Sequence, residues 1–186
     1  MRKATVVLCT LTVMLCGAFA VAQAPPADTL KVDYFANVNG SVDQTLRLTN
    51  PGTSGGPLCA AIYVFKADQE LSECCSCYLS PDGLRTLSVN ADLSSNPLTG
   101  TVATGGVIKI VSTTTVGGVC PLPTGLTPTP AVRAWSTHLQ NNGTLTETGS
   151  ADATLSANEV SRLKRECYAV KLVGSGHGVC SCGTGD

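Results

Sequence analysis

The residues best equipped for chemistry are cysteines. Cys74-Cys75-Ser76-Cys77 and Cys180-Ser181-Cys182 form two dense clusters, and Cys59, Cys120 and Cys167 stand apart from them. Thiols in such numbers can pair as disulfides, ligate a soft cation, or exchange disulfides with other proteins. His177 lies three residues before Cys180 and could add an imidazole to the thiolates, a set suited to copper(I) or zinc. The spacing nevertheless matches no zinc-finger pattern of paired C-x2-C units. Exchange chemistry calls for one exposed thiol of low pKa, typically in C-x-x-C at a helix start. Cys74 and Cys77 have that spacing, but Cys75 intervenes and no helix signature follows. In an oxidising compartment disulfides are the expected outcome, with no metal or other cofactor.

The first 24 residues imply such a compartment. Arg2 and Lys3 precede an uncharged, apolar run from Ala4 to Ala20, and Ala22-Gln23-Ala24 offers the small-x-small pattern of a signal peptidase site. A retained anchor would need roughly 20 strongly apolar residues, and this run is broken by threonines and Gly17. Leu15 stands before Cys16, where a lipoprotein signal wants a small residue. Residues 1–24 therefore read as a signal peptide and residues 25–186 as one domain, secreted to the periplasm or beyond the cell. No transmembrane segment is expected after cleavage. Cys9 and Cys16 leave with the leader, and the even set Cys59, Cys74, Cys75, Cys77, Cys120, Cys167, Cys180 and Cys182 remains. Consecutive Cα atoms lie about 3.8 Å apart, below the usual disulfide span of about 4.4–6.8 Å. Cys74 and Cys75 should thus bond to different partners. At least one of the trio at 74, 75 and 77 must reach a distant segment.

A serine also invites a test. Gly52-Thr53-Ser54-Gly55-Gly56-Pro57 resembles the nucleophile segment of chymotrypsin-like serine proteases. That resemblance would nominate Ser54, yet the family places its histidine and aspartate earlier in the chain. Here His138 and His177 both follow Ser54, so the segment reads as a glycine-rich loop between strands. His138 falls at an expected strand end, where a surface histidine is the ordinary outcome. Asp68, Glu70 and Glu73 could serve hydrolysis or calcium binding, but further ligands are missing and a solvated loop is the simpler expectation. Trp135, the single tryptophan, is expected in the core rather than as a sugar-stacking platform. No catalytic residue is assigned.

The elements that must position these residues are mostly strands. Residues 30–38 and 42–49 alternate with period two, Leu46 and Leu48 inward and Arg47 and Thr49 outward, with a turn at Asn39-Gly40. Residues 59–65 form a continuous apolar run, the mark of a strand buried on both faces. Residues 84–89, 107–113 and 131–139 are further strands, and 168–173 reads as a last one. Ser156 and Glu159 form a capping box for a helix that turns Val160, Leu163 and Cys167 inward. The expected fold is mainly β: an antiparallel β-sandwich-like single domain, one short C-terminal helix, and a glycine-rich tail anchored by disulfides.

Composition narrows the partners. Removing Arg2 and Lys3 from 12 basic residues leaves ten against 13 acidic ones, a net charge of −3, and aromatics make up only 4 %. Nucleic acid is therefore disfavoured. The stretch Leu58 to Val89, together with residues 174–183, resembles a group of uncharacterised secreted cysteine-rich bacterial proteins. The resemblance implies export and a shared cysteine framework and brings no activity with it. The function expected is a non-enzymatic extracellular or cell-surface structural or interaction module, with a protein or surface partner of unknown identity. The alternative is an exported binder of a metal or small ligand.

Overall fold

The computed structural model describes residues 27–36, 43–140, 142–172 and 175–183. The expected signal peptide and the turn expected at Asn39-Gly40 lie outside the described residues. A short 3-10 turn, Ala27–Thr29, leads into nine strands: β1 Leu30–Ala36, β2 Thr45–Thr49, β3 Leu58–Lys66, β4 Leu71–Leu79, β5 Leu84–Ser88, β6 Gly105–Thr114, β7 Arg133–Leu139, β8 Leu145–Gly149 and β9 Ala151–Ala153. The helix α1, Ala157–Leu172, follows.

Two antiparallel sheets result, one in the order β4-β3-β6-β1-β9 and the other β5-β2-β7-β8. β3 sits between β4 and β6 and has eight of its nine residues buried, because both faces of its sheet are covered. Ala60, Ile62 and Val64 meet Leu46, Leu48 and Leu87 in the core between the sheets. Ala61, Tyr63 and Phe65 point the other way, under Leu163, Cys167 and Val170 of α1. The molecule is thus a sandwich with a helix laid on the outer face of its five-stranded sheet. Ser156 caps α1, its Oγ accepting from Glu159 N at 3.1 Å. No described helix is long and apolar enough to cross a membrane.

Several expectations change. Residues 168–172 continue α1 instead of starting a strand, since Val170 completes the stripe that seals the outer core. Trp135 is 37 % exposed on the solvent face of the four-stranded sheet. It alternates with Ala134 and Ser136, which take the inward positions of β7. Its neighbours there are Arg47 and Gly149, and Arg47 reaches Glu147 at 2.6 Å. His138 is buried, and so is Glu73, which lies in β4 and not in a solvated loop. On β1, Asp33 and Phe35 face the inter-sheet core, whereas Tyr34 is exposed and Leu30 packs toward α1.

Candidate functional site

β4 organises the cysteines by its alternation. Side chains two residues apart share a face of a strand, so Cys74 points to one side and Cys75 and Cys77 to the other. Cys74 joins Cys167 on α1, with Cα atoms 5.9 Å apart. Cys75 joins Cys180 and Cys77 joins Cys182, at 5.2 Å and 5.3 Å. Cys59 of β3 joins Cys120 in the loop after β6, at 5.6 Å. The paired bonds to 180 and 182 have equal sequence separations of 105 residues. Chain direction is therefore the same on both sides of this two-rung ladder. The Sγ atoms of Cys75, Cys77 and Cys182 all lie within 4.8 Å of one another.

The tail is also held by hydrogen bonds. Cys74 N donates to Gly178 O at 2.9 Å, and Gly178 N to Asn96 O at 2.7 Å. Ser181 N donates to Asp92 O at 2.8 Å, and an Arg85 guanidinium nitrogen to Cys182 O at 2.7 Å. The strap so formed runs from β4, the edge of one sheet, to β5 and the helical turn after it, at the edge of the other. It occupies an edge amide of β4 that would otherwise be open to pairing. Gly178 makes the crossing possible. Its φ is +77°, and a Cβ there would lie 2.2 Å from Val170 Cγ1.

Glu73 shares the strand face of Cys75 and Cys77. One carboxylate oxygen accepts from Asn96 N at 2.9 Å, and the other is buried without a hydrogen-bond partner among the described residues. Burial raises its pKa to about 7, because charge is poorly solvated there.

A second polar cluster joins the sheets where β1 faces β7. Asp33 accepts from the hydroxyls of Ser136 and Ser150, both at 2.6 Å, and from Tyr34 N at 2.8 Å. His138 Nε2 lies 2.9 Å from Ser136 Oγ, and Tyr34 stacks on the imidazole at 4.3 Å. Serine, histidine and aspartate are present together, but their wiring is not that of a nucleophile. Ser136 Oγ donates its one proton to Asp33 Oδ2 rather than to His138 Nε2, which also lies 3.6 Å from Asp33 Oδ1. His138 Nδ1, where a triad aspartate would bind, is buried without a hydrogen-bond partner among the described residues. The arrangement joins β1 to β7 across the two sheets. Sequence reasoning missed it because Asp33, Ser136 and Ser150 meet only through sheet packing.

Ser54 lies on the loop between β2 and β3, where its hydroxyl donates to Gly56 O at 3.1 Å. The shallow groove beside it is lined by Thr53, Thr129, Pro130 and the Asp28–Arg133 ion pair. Neither histidine lines it. A further groove of about 330 Å³ is lined by the largely buried Phe65 together with Lys109 and Arg162, whose charged groups lie about 5 Å from its ring. Both cations are engaged by Glu159, at 2.6 Å and 2.8 Å. Hydrogen bonding from Arg162, with Lys109 assisting, pulls the Glu159 pKa down to about 2. His177 is exposed and stands outside the sulfur cluster, and Asp68 and Glu70 both pair with Lys66.

No known family, no curated protein and no solved structure matches the chain. The reading of its function therefore rests on the residues and their geometry.

Proposed function

We propose that this protein is an exported, non-enzymatic module that works outside the cytoplasm as a structural or interaction element, held in shape by cross-links. The disulfide framework carries this reading. Four bonds close separations of 61 to 105 residues and pin the loop after β6, the helix and the tail to one sheet. Such a framework forms and persists where thiols are oxidised. It suits a protein that must hold its surface in place without chaperones or repair. In the Asp33 cluster, Asp33, Ser136, His138 and Ser150 are engaged with one another. One face of the sandwich is covered by α1, while the other offers Trp135 and the Arg47–Glu147 pair to solvent.

The test is made on protein from its native compartment. Intact mass under denaturing, non-reducing conditions, with an alkylating reagent present, should show a start at Pro25 or within a few residues and no free thiols. A serine-directed fluorophosphonate should leave the protein unlabelled. Retention of the leader, several free thiols, or labelling abolished by Ser54→Ala or Ser136→Ala would each overturn the reading.

A second reading, an exported binder of a metal or small ligand, draws on a separate observation. Three sulfurs from two disulfides sit within 4.8 Å of each other, closer than two independent cross-links require.

A further inference from the structure

We propose that Cys75, Cys77, Cys180 and Cys182 form a masked four-thiolate site for one soft d10 cation, zinc(II) or copper(I), unmasked when a dithiol reductant opens the two neighbouring disulfides. The inference rests on the second reading above and names its ligands. Tetrahedral thiolate sites have metal–sulfur bonds of about 2.3 Å, which puts neighbouring sulfurs about 3.8 Å apart by geometry. The Sγ atoms of Cys75, Cys77 and Cys182 already lie within 4.8 Å of one another. Cys180 is bonded to Cys75, so its sulfur is adjacent to the same space. Once the two S–S bonds open, each bonded pair parts from about 2 Å to about 3.8 Å, Cys75 closes on Cys77 and Cys182 by up to about 1 Å, and Cys180, which lies outside the 4.8 Å group, turns in, all movements within reach of rotamer changes.

What keeps them together after reduction is the hydrogen bonding of the strap. The four contacts from Cys74 N, Gly178 N, Ser181 N and the Arg85 guanidinium bracket the cysteines and contain no sulfur. The ligands are thus positioned by groups that reduction leaves unchanged. Arg85 also sets a positive charge beside Cys182, which offsets the negative charge of a four-thiolate centre. Cys74 and Cys167 are excluded because they lie on the opposite face of β4, and Cys59–Cys120 because it joins β3 to another loop.

Cys182 is only partly buried, unlike its three companions, and is where a reductant can attack. A thiolate of the dithiol bonds to Cys182 Sγ and expels Cys77 as thiolate. The second thiol of the reductant then releases Cys182 and closes the reductant's own disulfide. A second dithiol does the same at Cys75–Cys180. The protein gains four electrons and four protons, and two dithiols are oxidised. Binding one cation displaces the thiol protons to solvent.

The full mature chain is reduced with dithiothreitol, freed of reductant anaerobically, and titrated separately with zinc(II) and copper(I) against a chromophoric competitor. One equivalent is expected in at least one of the two titrations. Loaded protein is then alkylated, stripped with a chelator, and alkylated with a second, isotopically distinct reagent. Cys75, Cys77, Cys180 and Cys182 should carry the second label, their modification slowed at least tenfold by metal, while Cys59, Cys74, Cys120 and Cys167 carry the first or stay oxidised. Cys182→Ser should weaken binding at least tenfold, and Cys59→Ser with Cys120→Ser should leave it unchanged. No binding of either cation, protection spread over all reduced cysteines, as in an unfolded chain, or protection of a different four would overturn the proposal. Such a failure leaves the lead reading untouched, because that is decided by the mass and thiol content of the native protein.

Discussion

Removing one rung of the cysteine ladder should cost far less than its long sequence separation suggests. Taken alone, a loop of about 100 residues closed by a disulfide corresponds to about 4.7 kcal/mol of unfolded-state restriction. Cys77–Cys182 spans 105 residues, but Cys75–Cys180 already joins the same two segments two residues away. With that bond intact, the second closes a ring of only about six residues, which the same relation values at about 2 kcal/mol. Losing both rungs also removes the larger ring. Cys74–Cys167 still holds residue 167 to β4, so that ring contains about 15 residues and is worth about 3 kcal/mol more. Cys77→Ala with Cys182→Ala should therefore lose about 2 kcal/mol, Cys75→Ala with Cys180→Ala about the same, and all four together about 5 kcal/mol. Urea unfolding at fixed pH without reductant measures each value, provided the unfolding slope is compared between variants. A loss near 5 kcal/mol from a single rung would refute the nested-ring reasoning, as would no additional loss on removing the second.

Glu73 should make the protein less stable as pH rises. Its folded pKa of about 7 exceeds the ordinary 4.5, so stability is highest below pH 4.5, falls between the two values, and carries the full penalty above 7. Glu73→Gln should remove that slope and gain up to about 3 kcal/mol above pH 7; parallel pH profiles of the two proteins in urea would count against it. Gly106 is flanked by Phe35 and Lys66, and a Cβ there would lie 1.9 Å from Phe65 O. Gly106→Ala should cost about 3 kcal/mol or more through overpacking, read as a lowered melting temperature. Asp33→Ala should cost about 2–4 kcal/mol by leaving the donors of Ser136, Ser150 and Tyr34 unmet. An unchanged urea midpoint would show that the cluster does not join the sheets.

Periodicity was enough where one strand carried its own burial signal. Leu46 and Leu48 alternate with polar residues and lie inward, and the apolar run through Ile62 is buried on both faces. The N-cap at Ser156 was equally local, though the expected box is half made: Ser156 Oγ accepts from Glu159 N, while the Glu159 carboxylate goes to Lys109 and Arg162. β4 was not legible, because its residues read as polar and cysteine-rich until a helix covers one face and a strap the other. Trp135 and Asp33 defeated residue type for a related reason: on β7 and β1 the inward places fall by register to Ser136 and Asp33, which satisfy each other.

Cysteine number, the need of Cys74 and Cys75 for separate partners, and the mainly β character follow from the chain itself, because they depend on composition, covalent geometry and nearest-neighbour pattern. Tertiary structure alone decided which cysteine meets which. The alternation of β4 sends Cys74 to α1 and Cys75 and Cys77 to the tail. It also set two disulfides side by side, buried Glu73 and His138, and turned Ser136 toward Asp33. Each of these joins residues far apart in the chain, and only the packing of sheets, helix and strap brings them within a few ångströms.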